Sequence, residues 1–129
     1  MYICVDFDGT CVTHDFPKVG KDIGSQKVLK RLIENGHKLV LFTMRSNQEE
    51  NYLTDAVNWF KENEIPLYGI NRNPDQDEWT TSPKAWGDLY IDDAALGVPL
   101  TYDVNLSGRY FVHWGKVELI LEQIGVLRK

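Results

Sequence analysis

The stretch Val5-Asp6-Phe7-Asp8-Gly9-Thr10, "VDFDGT", sets two carboxylates one residue apart where the first apolar run of the chain ends. Burying unpaired charge is costly, so this pair must be solvated, paired or holding a cation. The run before it, Tyr2 to Phe7, is rich in strand formers. A strand's period of two would turn Asp6 and Asp8 to one side and Phe7 to the other, into packing. Gly9 permits a sharp departure of the backbone.

Outward from this strand, "GTCVTHDFPKVGK" carries Gly, Pro and Asp punctuation and reads as an irregular excursion. Then "SQKVLKRLIENG" places Val28, Leu29, Leu32 and Ile33 on one helical stripe, closed by Gly36. "HKLVLFT", His37 to Thr43, is a second apolar strand. The next helix is expected to open on a capping box at Ser46-Asn47-Gln48-Glu49 and to bury Leu53, Ala56, Val57 and Phe60. "PLYGI", Pro66 to Ile70, is a third strand. A polar loop leads to "DLYIDD", a fourth strand ending in Asp92 and Asp93, and "WGKVELILEQIG" is a closing amphipathic helix.

Strands that alternate with helices and are apolar on both faces predict a Rossmann-like α/β fold, a three-layer parallel sheet with helices on both faces. At 129 residues the chain is expected to be a single domain. Ligands gather at the carboxyl ends of such strands. Asp6 and Asp8, Thr43, Asn71, and Asp92 with Asp93 all stand at that edge, and Arg45 lies close by. Several converging carboxylates repel unless a cation joins them, and oxygen donors of this kind suit Mg²⁺. Thr43 and Lys84 add a hydroxyl and an ammonium, which fit a phosphoryl group.

"DFDGT", the strand-ending Thr43, Lys84 and the strand-ending "IDD" resemble, in order, the four motifs of the haloacid dehalogenase-like superfamily of phosphohydrolases. The resemblance runs from Tyr2 to about Leu96. It implies that Asp6 is the nucleophile that becomes an aspartyl phosphate, and that Asp8 is the acid and base that moves protons. It implies that Thr43 and Lys84 hold the phosphoryl group. Asp6, the backbone carbonyl of Asp8, and Asp92 would bind Mg²⁺, with Asp93 acting directly or through a metal-bound water. Neither Asp8 to Thr43 nor Thr43 to Lys84 has room for an inserted cap domain, so the resemblance is to capless members with open sites. The short step from Lys84 to "DLYIDD" also resembles the deoxyribonucleotidases of that superfamily.

The function expected is that of a Mg²⁺-dependent phosphatase, its substrate a nucleotide, a sugar phosphate or a phosphorylated macromolecule. The alternative is a catalytically silent module that binds metal or phosphate. A response-regulator receiver domain would need an acid at the end of the third strand, where Ile70-Asn71 stands instead. Arg45 and Asn71 are equally readable as substrate contacts or as loop residues satisfying backbone. His14 reads as a solvated loop histidine, and Trp79, Trp86 and Trp114 as packing. The net charge of −5 argues against a surface built for loose grip on nucleic acid. Two cysteines and no signal peptide suggest a reducing cytoplasm. No apolar run reaches the length of a membrane span, so no membrane partner is expected. A second subunit in a homo-oligomer would be one way to cover the open site.

Overall fold

Four short strands run parallel in the computed structural model, which describes residues 1–129. They are β1 (Tyr2–Val5), β2 (Lys38–Leu41), β3 (Gly69–Ile70) and β4 (Leu89–Ile91), in the spatial order β3-β2-β1-β4. Val5 pairs with Leu41 on one side and Ile91 on the other, so the ends of β2, β1 and β4 lie level. The helices are α1 (Ser25–Glu34), α2 (Tyr52–Glu62) and α3 (Trp114–Gln123). An antiparallel hairpin, β5 (Leu100–Thr101) with β6 (Phe111–Val112), precedes α3 and has no counterpart in the sequence reading. Its two strands are two residues each, too short for periodicity to show.

Strand order decides which face each connection covers. The chain steps outward from β1 to β2 to β3, then crosses back over β1 to reach β4. Right-handed crossovers put the two outward connections on one face and the return on the other. Ile3, Val5 and Phe7 accordingly pack with Leu39 and Leu41 against Val28, Leu29 and Leu32 of α1 and Ala56, Trp59 and Phe60 of α2. Val117 and Leu121 of α3 join the same core. Each buried Val, Leu, Ile or Phe among them stabilises the fold by about 1.5–3 kcal/mol. The alternate residues, Cys4 and Val40, face the return segment and meet Ala85.

The expectation of helices on both faces is therefore corrected: all three helices lie on one face. The return segment, residues 71–88, contains only a single 3-10 turn, Pro74–Gln76. Pro74, Pro83 and Gly87 explain this, because none suits a helix interior. The buried Gln76 side chain organises the segment instead. Its Oε1 accepts from the N–H groups of Asn73 and Trp86, and its Nε2 donates to the carbonyls of Ser82 and Lys84.

The stop of α1 follows the sequence. Gly36 takes a φ of 86°, and the N–H groups of Gly36 and His37 satisfy the carbonyls of Ile33 and Leu32. The start of α2 does not. The capping box at Ser46 is overturned: the helix begins six residues later, at Tyr52. Asn47 does the capping from a distance, its Oδ1 accepting from the N–H groups of Leu53 and Thr54, both at 3.0 Å. Bends through residues 47–51 let this side chain reach forward by more than a turn. No helix is long and apolar enough to cross a membrane.

Candidate functional site

The loop that leaves β1 is drawn tight by one acceptor. The Phe7 carbonyl takes the N–H groups of Thr10, Cys11 and Val12, at 3.1, 2.8 and 3.4 Å. Gly9 makes the turn possible with a φ of 80°. The hairpin and α3 then hold the loop from outside. Val112 N–H donates to the Gly9 carbonyl at 3.0 Å, and Trp114 Nε1 donates to the Thr10 carbonyl at 2.6 Å. Trp114 is thus packing, as the sequence suggested.

Because Val5 pairs with Ile91, the residues that follow them are neighbours, and the Asp6 N–H donates to the Ile91 carbonyl at 3.0 Å. Asp6, Asp92 and Asp93 each bring one carboxylate oxygen into a group whose members lie within 4.8 Å of one another. Thr10, fully buried, ties two of them together. Its Oγ1 donates to Asp6 Oδ2 at 2.8 Å and accepts from the Asp93 N–H at 3.0 Å. Beside Asp6 and Asp92 opens a small cavity of about 120 Å³, lined also by Phe42, Thr43 and Met44.

Burial, followed by the charge of Asp92 and the contact with Asp93, pushes the Asp6 carboxyl up to about 8, against the lowering effect of Thr10. Asp92 is likewise raised, first by burial and then by Asp93. Asp93 is lowered: burial acts upward, but the hydrogen bond from His14 and the contact with Asp6 outweigh it. Three carboxylates this close are a poor arrangement unless a cation or protons sit among them.

Asp8 does not join this group, which corrects the expectation that Asp6 and Asp8 turn to one side. The strand stops at Val5, and the turn around the Phe7 carbonyl redirects the chain before Asp8. The Asp8 carboxylate is held by Arg45, Nε to Oδ2 and Nη2 to Oδ1. Its backbone carbonyl accepts no hydrogen bond within the chain. Arg45 is buried and spends its other N–H groups on the carbonyls of Pro17, Tyr52 and Lys18. It anchors the excursion after β1 and has no donor left for a ligand.

Asn71 also serves the backbone. At φ 55° it turns its Oδ1 to accept from the Thr43 N–H at 2.7 Å. Thr43 keeps its hydroxyl hydrogen free, since Oγ1 only accepts, from the Arg45 N–H at 3.1 Å. Lys84 is exposed, its ammonium 5.4 Å from the centre of the Tyr90 ring. Phe42, which lines the cavity, lies against the same ring. Lys84 forms no ion pair with any carboxylate.

Two residues escaped the sequence reading. Thr10 is the link between Asp6 and Asp93, and His14 contacts Asp93 Oδ2 through Nε2 at 2.7 Å. A signal for His14 existed in its place, five residues past Gly9 in an excursion free to fold back over the strand ends. A solved structure of a conserved protein coded by a locus from Bacteroides thetaiotaomicron is similar to this chain, with a TM-score of 0.73 and 28% identity, covering 96% of this chain and 91% of that one. No protein-family model and no curated protein sequence matches the chain.

Proposed function

We propose that this protein is a Mg²⁺-dependent phosphohydrolase that works through an aspartyl phosphate on Asp6. The observation that carries the reading is the meeting of Asp6, Asp92 and Asp93 at adjacent strand ends, beside a cavity that also contains Thr43. An all-oxygen donor set with raised Asp6 and Asp92 carboxyls suits a hard divalent cation, and the unengaged Asp8 carbonyl is a further donor. Mg²⁺ held by Asp6, Asp92 and the Asp8 carbonyl would offset the charge of an incoming phosphoryl group.

In this reading Asp6 forms a bond to phosphorus as the bond to the substrate alcohol breaks. The departing oxygen takes a proton from Asp8. Water then cleaves the aspartyl phosphate, giving its proton to Asp8 and returning Asp6 and free phosphate. Thr43 donates its free hydroxyl hydrogen to the phosphoryl group, and Lys84 swings from Tyr90 to neutralise it. Asp8 takes part once it is released from Arg45. The stretches between these residues hold the excursion and α1, then α2, β3 and the 3-10 turn, so the reading is of a capless, Rossmann-like haloacid dehalogenase-type enzyme.

The test is Mg²⁺-dependent phosphate release from an aryl phosphate and a panel of nucleotides, sugar phosphates and phosphopeptides. Asp6→Asn and EDTA should each abolish it; release that survives Asp6→Asn would exclude Asp6 as the nucleophile. One observation favours a second reading, a module that binds metal or phosphate without turnover: both Asp8 oxygens are already bound to Arg45. Mg²⁺ binding with no release from any ester would select it.

A further inference from the structure

We propose that His14 is a positioning residue of the carboxylate centre, holding Asp93 in place so that the three acids can share a divalent cation. This rests on the reading above that Asp6 and Asp92 are metal ligands. Like charges at this range drive side chains apart, and Asp93 sits in the turn that follows β4, with its side chain partly open to solvent. His14 opposes that. Its Nε2 lies 2.7 Å from Asp93 Oδ2, in a pair whose side chains are only 16% and 19% exposed.

The remaining contacts of Asp93 complete the constraint. Its backbone N–H donates to Thr10 Oγ1 at 3.0 Å, and Oδ1 stands 3.3 Å from the same hydroxyl. With Oδ2 committed to His14, Oδ1 is the oxygen turned toward the Thr10 and Asp6 side of the group. His14 is not itself a candidate ligand, because the nitrogen that faces the centre is engaged by Asp93.

The backbone beneath makes room for this contact. A Cβ built on Gly9 would lie 2.0 Å from His14 Nε2 and 2.6 Å from Asp93 Oδ2. The glycine of "DFDGT" is thus needed for the approach of the imidazole as well as for its own positive φ. His14 reaches the centre from the excursion that Arg45 grips at Pro17 and Lys18, so the segment arrives from a fixed direction. Histidine and carboxylate partners that orient a ligand in this way typically change metal affinity 10–100-fold when removed.

The experiment is calorimetric titration of the metal-free full chain with MgCl₂ and with MnCl₂, for the wild type, His14→Ala and His14→Gln, with melting temperatures recorded without metal. His14→Ala should weaken binding by about tenfold or more. His14→Gln, whose side-chain amide can donate to the same oxygen, should recover most of it, while metal-free melting temperatures stay together. Wild-type affinity in His14→Ala overturns the inference alone. Equal loss in both variants, with a lowered metal-free melting temperature, assigns His14 a general structural role and also overturns it. Absence of binding by the wild type overturns the metal reading itself, and the inference with it.

Discussion

Arg45 grips Asp8 with two parallel hydrogen bonds of 2.8 Å, from a position where the arginine is almost wholly buried. All five of its N–H donors are used, three of them on main-chain carbonyls. A lysine supplies one compact charge and cannot reproduce the fork. Arg45→Lys should lower the unfolding free energy by about 3 kcal/mol, as expected when a buried, hydrogen-bonded pair is broken. Denaturant titration would measure it; a loss within experimental error would show that the grip contributes nothing to the fold.

Stability without metal should depend on pH through Asp6. Burial first, then Asp92 and Asp93, raises its carboxyl to about 8 from 3.8. A raised acid stays protonated in the native state while the unfolded chain has already released its proton, so the native state loses ground as pH rises between those values. The slope from this group is at most about 1.4 kcal/mol per pH unit. Asp93 is shifted downward, so its opposite contribution falls below that window. Asp6→Asn should flatten the dependence and make the metal-free protein more stable at pH 8 than the wild type. Parallel unfolding curves for the two proteins across pH 4.5–8 would count against the raised carboxyl.

Gly9 combines a φ of 80° with no space for a methyl group. Gly9→Ala should cost about 1–2 kcal/mol for the left-handed backbone alone, and more for displacing His14 and Asp93. Thermal melting reads the first effect. Weakened Mg²⁺ binding, measured on the folded fraction, reads the second.

Lys84 offers the contrasting case of a residue whose removal should spare the fold. It is exposed and makes no ion pair, so Lys84→Ala should change stability by no more than about 0.5 kcal/mol. If it neutralises a phosphoryl group, phosphate release should drop about 10²-fold. Full activity in this variant would remove Lys84 from the proposed site.

The sheet and its acid-bearing edge were legible because apolar strands and strand-end polar residues are local patterns. Ile3, Val5, Leu39 and Leu41 read as buried, and they are. What stayed hidden was set by distant partners. The direction of Asp8 depends on where β1 stops and on an arginine 37 positions away. His14 becomes meaningful only against Asp93, 79 positions away. The start of α2 was misread because a nearby serine and glutamate fit the local pattern, whereas Asn47 acts across a bend. The second helical layer was inferred from the rule for parallel sheets, although the prolines of residues 71–88 argued locally against it.

That return segment and the Asp6 to Thr10 loop are anchored to different parts of the fold. The Asp6 to Thr10 loop is bolted to β6 and α3, so any change there is felt by the helical core. The stretch carrying Lys84 is held by side chains of its own segment, Arg72, Asn73 and Gln76, and by Tyr90 of β4. Lengthening or rewording it would leave the helical layer untouched, provided Gln76 keeps its four bonds and Ala85 its seat on Cys4 and Val40. Sequence change in the Lys84 stretch would therefore disturb the helical core less than change in the Asp6 to Thr10 loop.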